Sequence, residues 1–431
     1  MLVFYQIIVG LLFWISFPFL LLFVLITGKH RSGLGERLGL YKPPPPVSGK
    51  THRIWLHAAS IGEVRAAGIL IDHLRQHRES WDYLVTTMTV HGRDFARQHL
   101  ASDITCYLAP LDVPFVAGRV VNSIDPDLYV CLETELWPIL ISRLERRRVP
   151  ALLLNARLSE KSISSYLRFK CFFGRVVRKF DVIGTITDAD RQRFIGVGAE
   201  PERVTVTGNI KHDFTLPDNR SEVIRAWTEM LAVGPETDVI VCGSTHEPEE
   251  ALLLPVYREM TKRYNQLWLI APRHLDRLAS ITAMLNEGEV DHVLLSDIKQ
   301  GKPRTSTLVV VDTFGDLTEL FSVASFVFIG GTLSSNGGHN LMEAAMWEKI
   351  VFFGPHISDF KDAAAILETC GGGYCLDTVE EMKTRMESFL EDRTHFEEMQ
   401  RRAGEAAAAQ QGAGLKQAGL IVETIDNQVI S

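Results

Sequence analysis

The sequence has no pair of cysteines at the CxxC spacing and no other recognisable metal-ligand spacing. This absence argues against a structural zinc site, and scattered cysteines do not indicate a disulfide framework. A GxxxxGK[ST] loop is also missing, which argues against ATP hydrolysis. We therefore expect no metal, and reduced thiols at the six cysteines, namely Cys106, Cys131, Cys171, Cys242, Cys370 and Cys375.

Charged side chains are absent from Leu2 to Thr27, a stretch long enough to cross a bilayer. A cleaved signal peptide is the alternative, but no basic residue precedes this stretch and no small-residue cleavage site follows it. Basic residues follow it instead, at Lys29, Arg31 and Arg37. The positive-inside rule then predicts a single-pass anchor with most of the protein on the cytoplasmic side.

The formal net charge of −8 hides an uneven distribution. Through His212 there are 27 Lys+Arg against 19 Asp+Glu, and the remainder has 18 against 34. A basic half beside an anchor suggests contact with anionic head groups or with a phosphorylated lipid substrate. Drift of surface charge is the plainer alternative.

With 431 residues, the chain is expected to form two domains. A basic, proline-rich spacer over 28–50 follows the anchor at 2–27. Apolar strands then alternate with helices over 51–212 and again over 223–431, with a polar linker at 213–222. This alternation predicts two doubly wound α/β domains with parallel sheets, whose ligands bind beyond the carboxyl ends of the strands.

A glycine-rich segment from Ile329 to Glu343 follows one apolar strand and leads into a helix at Leu341. A strand, a glycine-rich turn and a helix in this order favour a phosphate, through backbone N–H groups and the helix dipole. The same segment could be only a tight turn.

Three residues of the first half could take part in acid–base or charge-stabilising chemistry. Glu63 lies in the first turn of a predicted helix, where it is either a general base or the partner of Ser60 in a capping box. Glu133 follows a strand and opens a helix. Lys211 ends the last strand of this half, although a solvated lysine is the commoner case.

In the second half, Arg273 follows a buried strand and could hold a phosphate through paired hydrogen bonds. His246 and His339 also lie at strand ends. Histidines at turns more often have a structural role.

Several stretches in a fixed order resemble the 3-deoxy-D-manno-octulosonic acid (Kdo) transferases, bacterial enzymes that add Kdo to a lipid A precursor. They are His57-Ala-Ala-Ser-Ile-Gly-Glu63, Leu132-Glu-Thr-Glu-Leu-Trp-Pro138, Asn155-Ala-Arg-Leu-Ser-Glu160, Thr207-Gly-Asn-Ile-Lys211, Gly243-Ser-Thr-His246, Ala271-Pro-Arg-His274, Gly337-Gly-His-Asn340 and Phe353-Gly-Pro-His356.

The resemblance implies a GT-B fold, in which two Rossmann-like domains face a cleft. It implies that Glu63 is the general base and that Glu133 and Lys211 stabilise the transition state. The implied donor contacts are Pro272, Arg273, Phe314, Gly315, Asp316, Gly338, His339, Asn340, Leu341, Met342 and Glu343.

The same resemblance implies CMP-Kdo as co-substrate, no cofactor, a tetra-acylated lipid A precursor as acceptor, and attachment to the inner membrane, with no nucleic acid as partner. Three segments depart from the family pattern, at Gly315-Asp316, Asn340-Leu-Met-Glu343 and Trp137-Pro-Ile139. A GT-B enzyme with another nucleotide-sugar donor and a non-catalytic, membrane-tethered binder remain as alternatives.

Overall fold

The computed structural model describes residues 2–28, 33–41, 52–78, 80–214, 216–334, 336–358 and 360–430. Most of the predicted spacer, including its four prolines, lies outside these residues. Contacts divide the chain into two compact units, of which the first comprises Met1–Asp213 with Gly412–Ser431 and the second Phe214–Gln411. Each unit has its own sheet.

The sheet of the first unit has the strand order β3-β2-β1-β4-β5-β6-β7, and every neighbouring pair is parallel. Its central strands are apolar on both faces because helices cover both sides, as expected for a doubly wound sheet. The strands are β1 His52–His57, β2 Trp81–Thr87, β3 Thr105–Leu108, β4 Leu128–Leu132, β5 Ala151–Ala156, β6 Val182–Thr185 and β7 Val204–Val206.

Hydroxyl side chains start several helices of this unit. Ser60, Thr89 and Thr187 each accept a backbone N–H from the residue three positions later, and so cap a helix that follows a strand. The helices are α1 Leu2–Thr27, α2 Leu34–Arg37, α3 Ile61–His77, α4 Val90–His99, α5 Pro114–Ile124, α6 Pro138–Arg146, α7 Glu160–Arg168, α8 Lys170–Val177 and α9 Asp188–Val197.

The sheet of the second unit is also parallel throughout, with the order β10-β11-β9-β8-β12-β13-β14. Its strands are β8 Asp238–Thr245, β9 Gln266–Pro272, β10 Val293–Leu294, β11 Leu308–Val310, β12 Phe326–Ile329, β13 Ile350–Phe353 and β14 Gly373–Cys375. The prediction of two doubly wound, parallel α/β domains is confirmed. The apolar pattern of the sequence does not predict the short edge strands β3 and β14.

Nine further helices belong to the described residues of the second unit. They are α10 Arg220–Met230, α11 Glu249–Arg263, α12 Leu278–Glu287, α13 Leu295–Lys299, α14 Leu317–Leu320, α15 Met342–Met346, α16 Lys361–Cys370, α17 Val379–Glu391 and α18 Arg393–Ala408. Helix α10 starts inside the predicted linker, and Leu216 of that linker is already part of the second core.

The last helix, α19 (Ala413–Ile430), belongs to the first unit and not to the second domain, where the sequence analysis placed it. Its apolar face, including Ala418, Ile421 and Ile425, is buried in the core beside α3. The Asp213 carboxylate accepts N–H bonds from Gly412, Ala413 and Gly414 at 2.9, 3.2 and 2.5 Å. Asp213 therefore caps a helix that begins 200 residues later in the chain. No local sequence pattern predicts such a contact.

Helix α1 has no charged residue, and an 18-residue window within it has a mean hydropathy of 2.7 and is 6% buried. By length and composition it could span a bilayer. The rings of Tyr5 and Phe13 pack against Phe172 and Phe115 of the first unit, with centroids 5.0 and 5.2 Å apart. Since both aromatic contacts lie on one helical stripe, the opposite faces of α1 are left exposed.

Replacing Asp213 with alanine should loosen α19, because three backbone N–H groups lose their acceptor. We expect a loss of about 2 kcal/mol in stability of the first unit. Hydrogen exchange should become faster in α19 and in α3. The matched control is Asp218→Ala, which removes an exposed carboxylate of the same segment. Unchanged exchange in α19 would contradict the capping role.

Candidate active site

Glu63 lies in the first turn of α3, and its carboxylate is almost fully buried, with the residue 6% exposed. Its oxygens accept bonds from the Ala59 N–H at 2.7 Å and from the Ser60 hydroxyl at 2.8 Å. Ser60 in turn accepts the Glu63 N–H at 3.3 Å, so the capping box is present. Each carboxylate oxygen has more than one lone pair, so the cap leaves capacity to accept a proton.

Burial is the main cause that raises the pKa of Glu63 above its usual value, followed by the negative charge of Glu133. The bonds from Ser60 and Ala59 and the charge of Lys211 act in the opposite direction. A carboxylate with a raised pKa is a better proton acceptor at neutral pH than an ordinary one.

The two other predicted catalytic residues, Glu133 and Lys211, form an ion pair. The Lys211 amine also lies beside the backbone of Gly62, where an added Cβ would be 3.6 Å from Nζ. The structure therefore brings Glu63, Glu133 and Lys211 together, although they follow β1, β4 and β7 in the chain. These strands are parallel, so their carboxyl ends lie at the same edge of the sheet.

Two asparagines bring Lys211 from the edge strand toward the middle of the sheet. The Asn155 side chain accepts the Ile210 N–H at 2.9 Å, and the Asn209 side chain accepts the Lys211 N–H at 3.1 Å. Asn155 has a φ of 53° and lies where the pairing of β5 with β6 is irregular. This backbone conformation turns the Asn155 side-chain amide toward the 3-10 turn at Ile210–His212. Sequence reasoning assigned neither asparagine a role.

Glu133 also has a left-handed backbone, with a φ of 58°, and its N–H donates to the Leu154 carbonyl at 2.9 Å. The adjacent Thr134 hydroxyl donates to the Arg157 carbonyl. These bonds hold the loop after β4 against the end of β5. An uncommon backbone conformation held from both sides is typical of a functional site.

His57 ends β1 beneath this loop, and its ring lies edge-on to Trp137 with centroids 5.9 Å apart. Nδ1 is 3.1 Å from the Thr86 hydroxyl. Complete burial lowers the pKa of His57 to about 4, so the imidazole is neutral at neutral pH.

In the second unit, the predicted donor-binding residues form three neighbouring loops. Pro272 ends β9, and the N–H of Arg273 donates to the Thr245 carbonyl at 3.0 Å. The Phe314 side chain is 77% exposed, Gly315 has a φ of 96°, and Asp316 pairs with Lys299 at 2.8 Å.

The third loop runs from Gly338 to Glu343. The Glu343 carboxylate accepts bonds from the Asn340 amide and from the Thr318 hydroxyl, both at 3.3 Å, which connects this loop to the helix after Asp316. His339 stacks on His246, with centroids 5.4 Å apart. Leu341 and Met342 are fully buried, so their side chains belong to the core and only their backbone faces the loop.

The prediction that the glycine-rich segment binds a phosphate is wrong for its first part, Gly331 to Leu333. The Glu249 carboxylate, fully buried, accepts N–H bonds from Gly331, Thr332 and Leu333 at 2.7, 3.0 and 3.0 Å. It also accepts the His246 N–H at 2.9 Å. A protein carboxylate thus occupies the anion position that the sequence suggested for a phosphate.

The neighbouring Glu250 is also buried and binds Arg277 through both oxygens, at 2.8 and 3.0 Å. Nothing in the local sequence Glu247-Pro-Glu-Glu250 distinguishes these two buried carboxylates from the exposed Glu247. Their role depends on what the fold packs around them.

Exchanging Glu249 for glutamine should destabilise the second unit by about 3 kcal/mol, because an NH₂ group would then face backbone N–H donors. Thermal unfolding measures this loss, and hydrogen exchange at 331–333 should become faster. The exposed Glu247→Gln is the control and should stay within about 0.5 kcal/mol of the parent. Equal midpoints for both variants would show that Glu249 does not hold the turn.

A family model described as "3-Deoxy-D-manno-octulosonic-acid transferase (kdotransferase)" matches residues 32–214. The chain is 31% identical over 368 residues to a 3-deoxy-D-manno-octulosonic acid transferase of Chlamydophila psittaci, covering 85% of this chain and 83% of that protein. It is 29% identical over 392 residues to the transferase of that name from Haemophilus influenzae, covering 89% and 90%.

Among solved structures, Anabaena HepE in complex with UDP-glucose superimposes with a TM-score of 0.54 at 15% identity, covering 88% of this chain and 100% of that one. This likeness and the two parallel sheets establish the GT-B fold class that the sequence predicted. The extent of the sequence identity establishes the family: the chain belongs to the 3-deoxy-D-manno-octulosonic acid transferases and is a glycosyltransferase.

Proposed function

We propose that this enzyme transfers Kdo from CMP-Kdo to a tetra-acylated lipid A precursor, with inversion at the anomeric carbon. The observation that carries the proposal is the buried Glu63 carboxylate, with its raised pKa, next to the Glu133–Lys211 ion pair. Membership of the Kdo transferase family supports the sugar.

In the proposed reaction, a sugar hydroxyl of the acceptor attacks the anomeric carbon of Kdo. The bond from that carbon to the CMP phosphate oxygen breaks, and CMP leaves with the bonding electron pair. Glu63 takes the hydroxyl proton, and the new glycosidic bond forms on the face opposite the leaving group. A base with a raised pKa suits this transfer near neutral pH.

The ion pair explains why Glu63 can ionise beside another carboxylate. Lys211 offsets the charge of Glu133, and its positive charge favours the ionised form of Glu63. We propose that Lys211 also stabilises negative charge that develops as CMP leaves. Since the donor has a single phosphate, the enzyme needs no metal or other cofactor in this mechanism.

The second unit is proposed to hold CMP. Arg273 binds the phosphate through its guanidinium, and the loops at Phe314–Asp316 and Gly338–Glu343 surround the nucleoside. The hydrogen bonds of Glu343 to Asn340 and Thr318 support this assignment, because they fix the two loops relative to each other. Glu249 contributes by stabilising the preceding turn.

The enzyme is proposed to act at the cytoplasmic face of the inner membrane, anchored by α1. Support comes from the length and hydropathy of α1 and from the basic charge of the first 212 residues. A phosphorylated lipid acceptor would be attracted to the same basic surface.

The full chain in detergent, incubated with CMP-Kdo and a tetra-acylated lipid A precursor, should add one or more Kdo units as measured by mass spectrometry. Glu63→Gln should lower the rate by about 10²- to 10⁴-fold, the usual contribution of a general base. CMP binding by the variant should be retained. The control Glu202→Gln removes an exposed carboxylate and should keep full activity.

Transfer from a UDP-sugar and not from CMP-Kdo would end the Kdo proposal and leave a GT-B enzyme with another donor. Full activity of Glu63→Gln would remove Glu63 as the base. A protein that binds CMP but transfers no sugar from any donor would be a membrane-tethered binding protein.

The rate should fall in acid as Glu63 becomes protonated, and Glu133→Gln should move this acidic limb to lower pH. The sign follows from the charge of Glu133, which raises the pKa of Glu63 and is removed by the substitution. Removing Glu133 also frees Lys211 to act on Glu63 in the same direction. The pH dependence of kcat measures the shift, and a limb that moves to higher pH or stays in place would contradict the coupling.

A further inference from the structure

A cavity of about 630 Å³ lies in the first unit, at the opposite edge of the sheet from Glu63. Its wall contains Pro150, Asp181 and Arg203, which immediately precede β5, β6 and β7, and polar residues from the end of α19. The catalytic candidates follow the carboxyl ends of strands in the same sheet, roughly 20 Å away by the length of β5. The cavity is therefore separate from the candidate active site.

The cavity is lined by four basic side chains: Arg148, Arg178, Lys179 and Arg203. They come from three different loops. Two acidic residues, Glu145 and Asp181, share the wall. Both are engaged within the protein, since Glu145 pairs with Lys179 and the Asp181 carboxylate accepts the Ala151 N–H at 2.9 Å.

Among the described residues, two of the four cations, Arg148 and Arg178, have no carboxylate partner, whereas Arg203 pairs with Glu200 at 2.7 Å. Arg178 donates one bond, to the Gly198 carbonyl at 3.3 Å. The side chain of Arg148 makes no hydrogen bond or ion pair with the described residues. Its neighbour Arg147 pairs with Asp125 outside the cavity.

The direction of the Arg148 side chain depends on its backbone, which has a φ of 57°. A positive φ is uncommon for a residue other than glycine. The turn separates Arg148 from Arg146 and Arg147, which do not line the cavity. It brings a guanidinium without a carboxylate partner among the described residues to the cavity wall.

The dipole of α8 explains the position of Arg178, since a positive charge is favoured after the last residue of a helix. This effect acts within one helical turn and does not bring side chains from different loops together. It does not account for Arg148 and Arg178 sharing one cavity with Thr424 and Asn427 of α19.

We propose that this cavity binds a phosphate-bearing anion, held by the guanidinium groups of Arg148 and Arg178. Guanidinium forks match phosphate oxygens, and a cavity of this size accommodates a small phosphorylated molecule or a lipid head group. The bound anion ties the end of α19 to the loops before β5 and β6.

The same chemistry is offered by a soluble phosphate compound and by a phospholipid. Phe172 of α8 contacts Tyr5 of α1 and lies about 9 Å along the helix axis from Arg178, which follows α8 at the cavity. The cavity is therefore near the part of the first unit that packs against α1.

For the soluble source, pyrophosphate is titrated calorimetrically into the detergent-purified full chain without any nucleotide. For the lipid source, the full chain is placed in nanodiscs of phosphatidylglycerol or of phosphatidylcholine, and hydrogen exchange is followed at 145–150 and 424–428. The variant carries Arg148→Gln and Arg178→Gln. The matched control is Arg146→Gln, an exposed arginine at the end of α6, two residues before Arg148, that does not line the cavity.

Pyrophosphate binding that weakens at least about tenfold in the double variant and not in the control supports the site with a soluble ligand. Slower exchange in phosphatidylglycerol alone, lost in the double variant, supports it with a lipid. If neither probe acts, or if Arg146→Gln loses as much as the double variant, the proposal is overturned. Arg148→Gln alone, at an exposed position, gives the same comparison should the double variant unfold. These readouts involve no sugar transfer and stand apart from the test of the proposed function.

Discussion

The ion pair between Lys211 and Glu133 is the interaction on which the candidate active site depends. It places a positive charge beside two carboxylates that would otherwise repel each other at one edge of the sheet. The pair also joins the loop after β4 to the turn after β7, across the ends of two intervening strands. The side chains of Asn155 and Asn209 hold that turn in place by accepting two of its backbone N–H bonds.

In the second unit, a buried carboxylate holds a loop at the end of a strand. Three successive backbone N–H groups after β12 point to one position, and the Glu249 carboxylate accepts all three. The N–H groups of this turn are thereby satisfied within the protein. In the proposed mechanism, a ligand phosphate is therefore bound by side chains such as Arg273 and by the later part of the loop.

The two sheet edges of the first unit carry different chemistry. Glu63, Glu133 and Lys211 lie at the carboxyl ends of the strands, whereas basic residues at the amino ends line a cavity to which α19 contributes one wall. This separation follows from the parallel arrangement, since every strand begins at one edge and ends at the other. The return of α19 to the first unit completes the basic cavity and covers α3.

The sequence by itself determined the fold class, because fully apolar strands alternating with helices are stable only as parallel sheets covered on both faces. It also indicated the residues of the candidate active site, since Glu63, Glu133 and Lys211 each follow a strand. Only the tertiary structure decided that these three side chains meet, that Glu249 occupies the glycine-rich turn, and that α19 leaves the second unit for Asp213. Each of these rests on a contact between residues far apart in the chain, and local periodicity carries no information about such contacts.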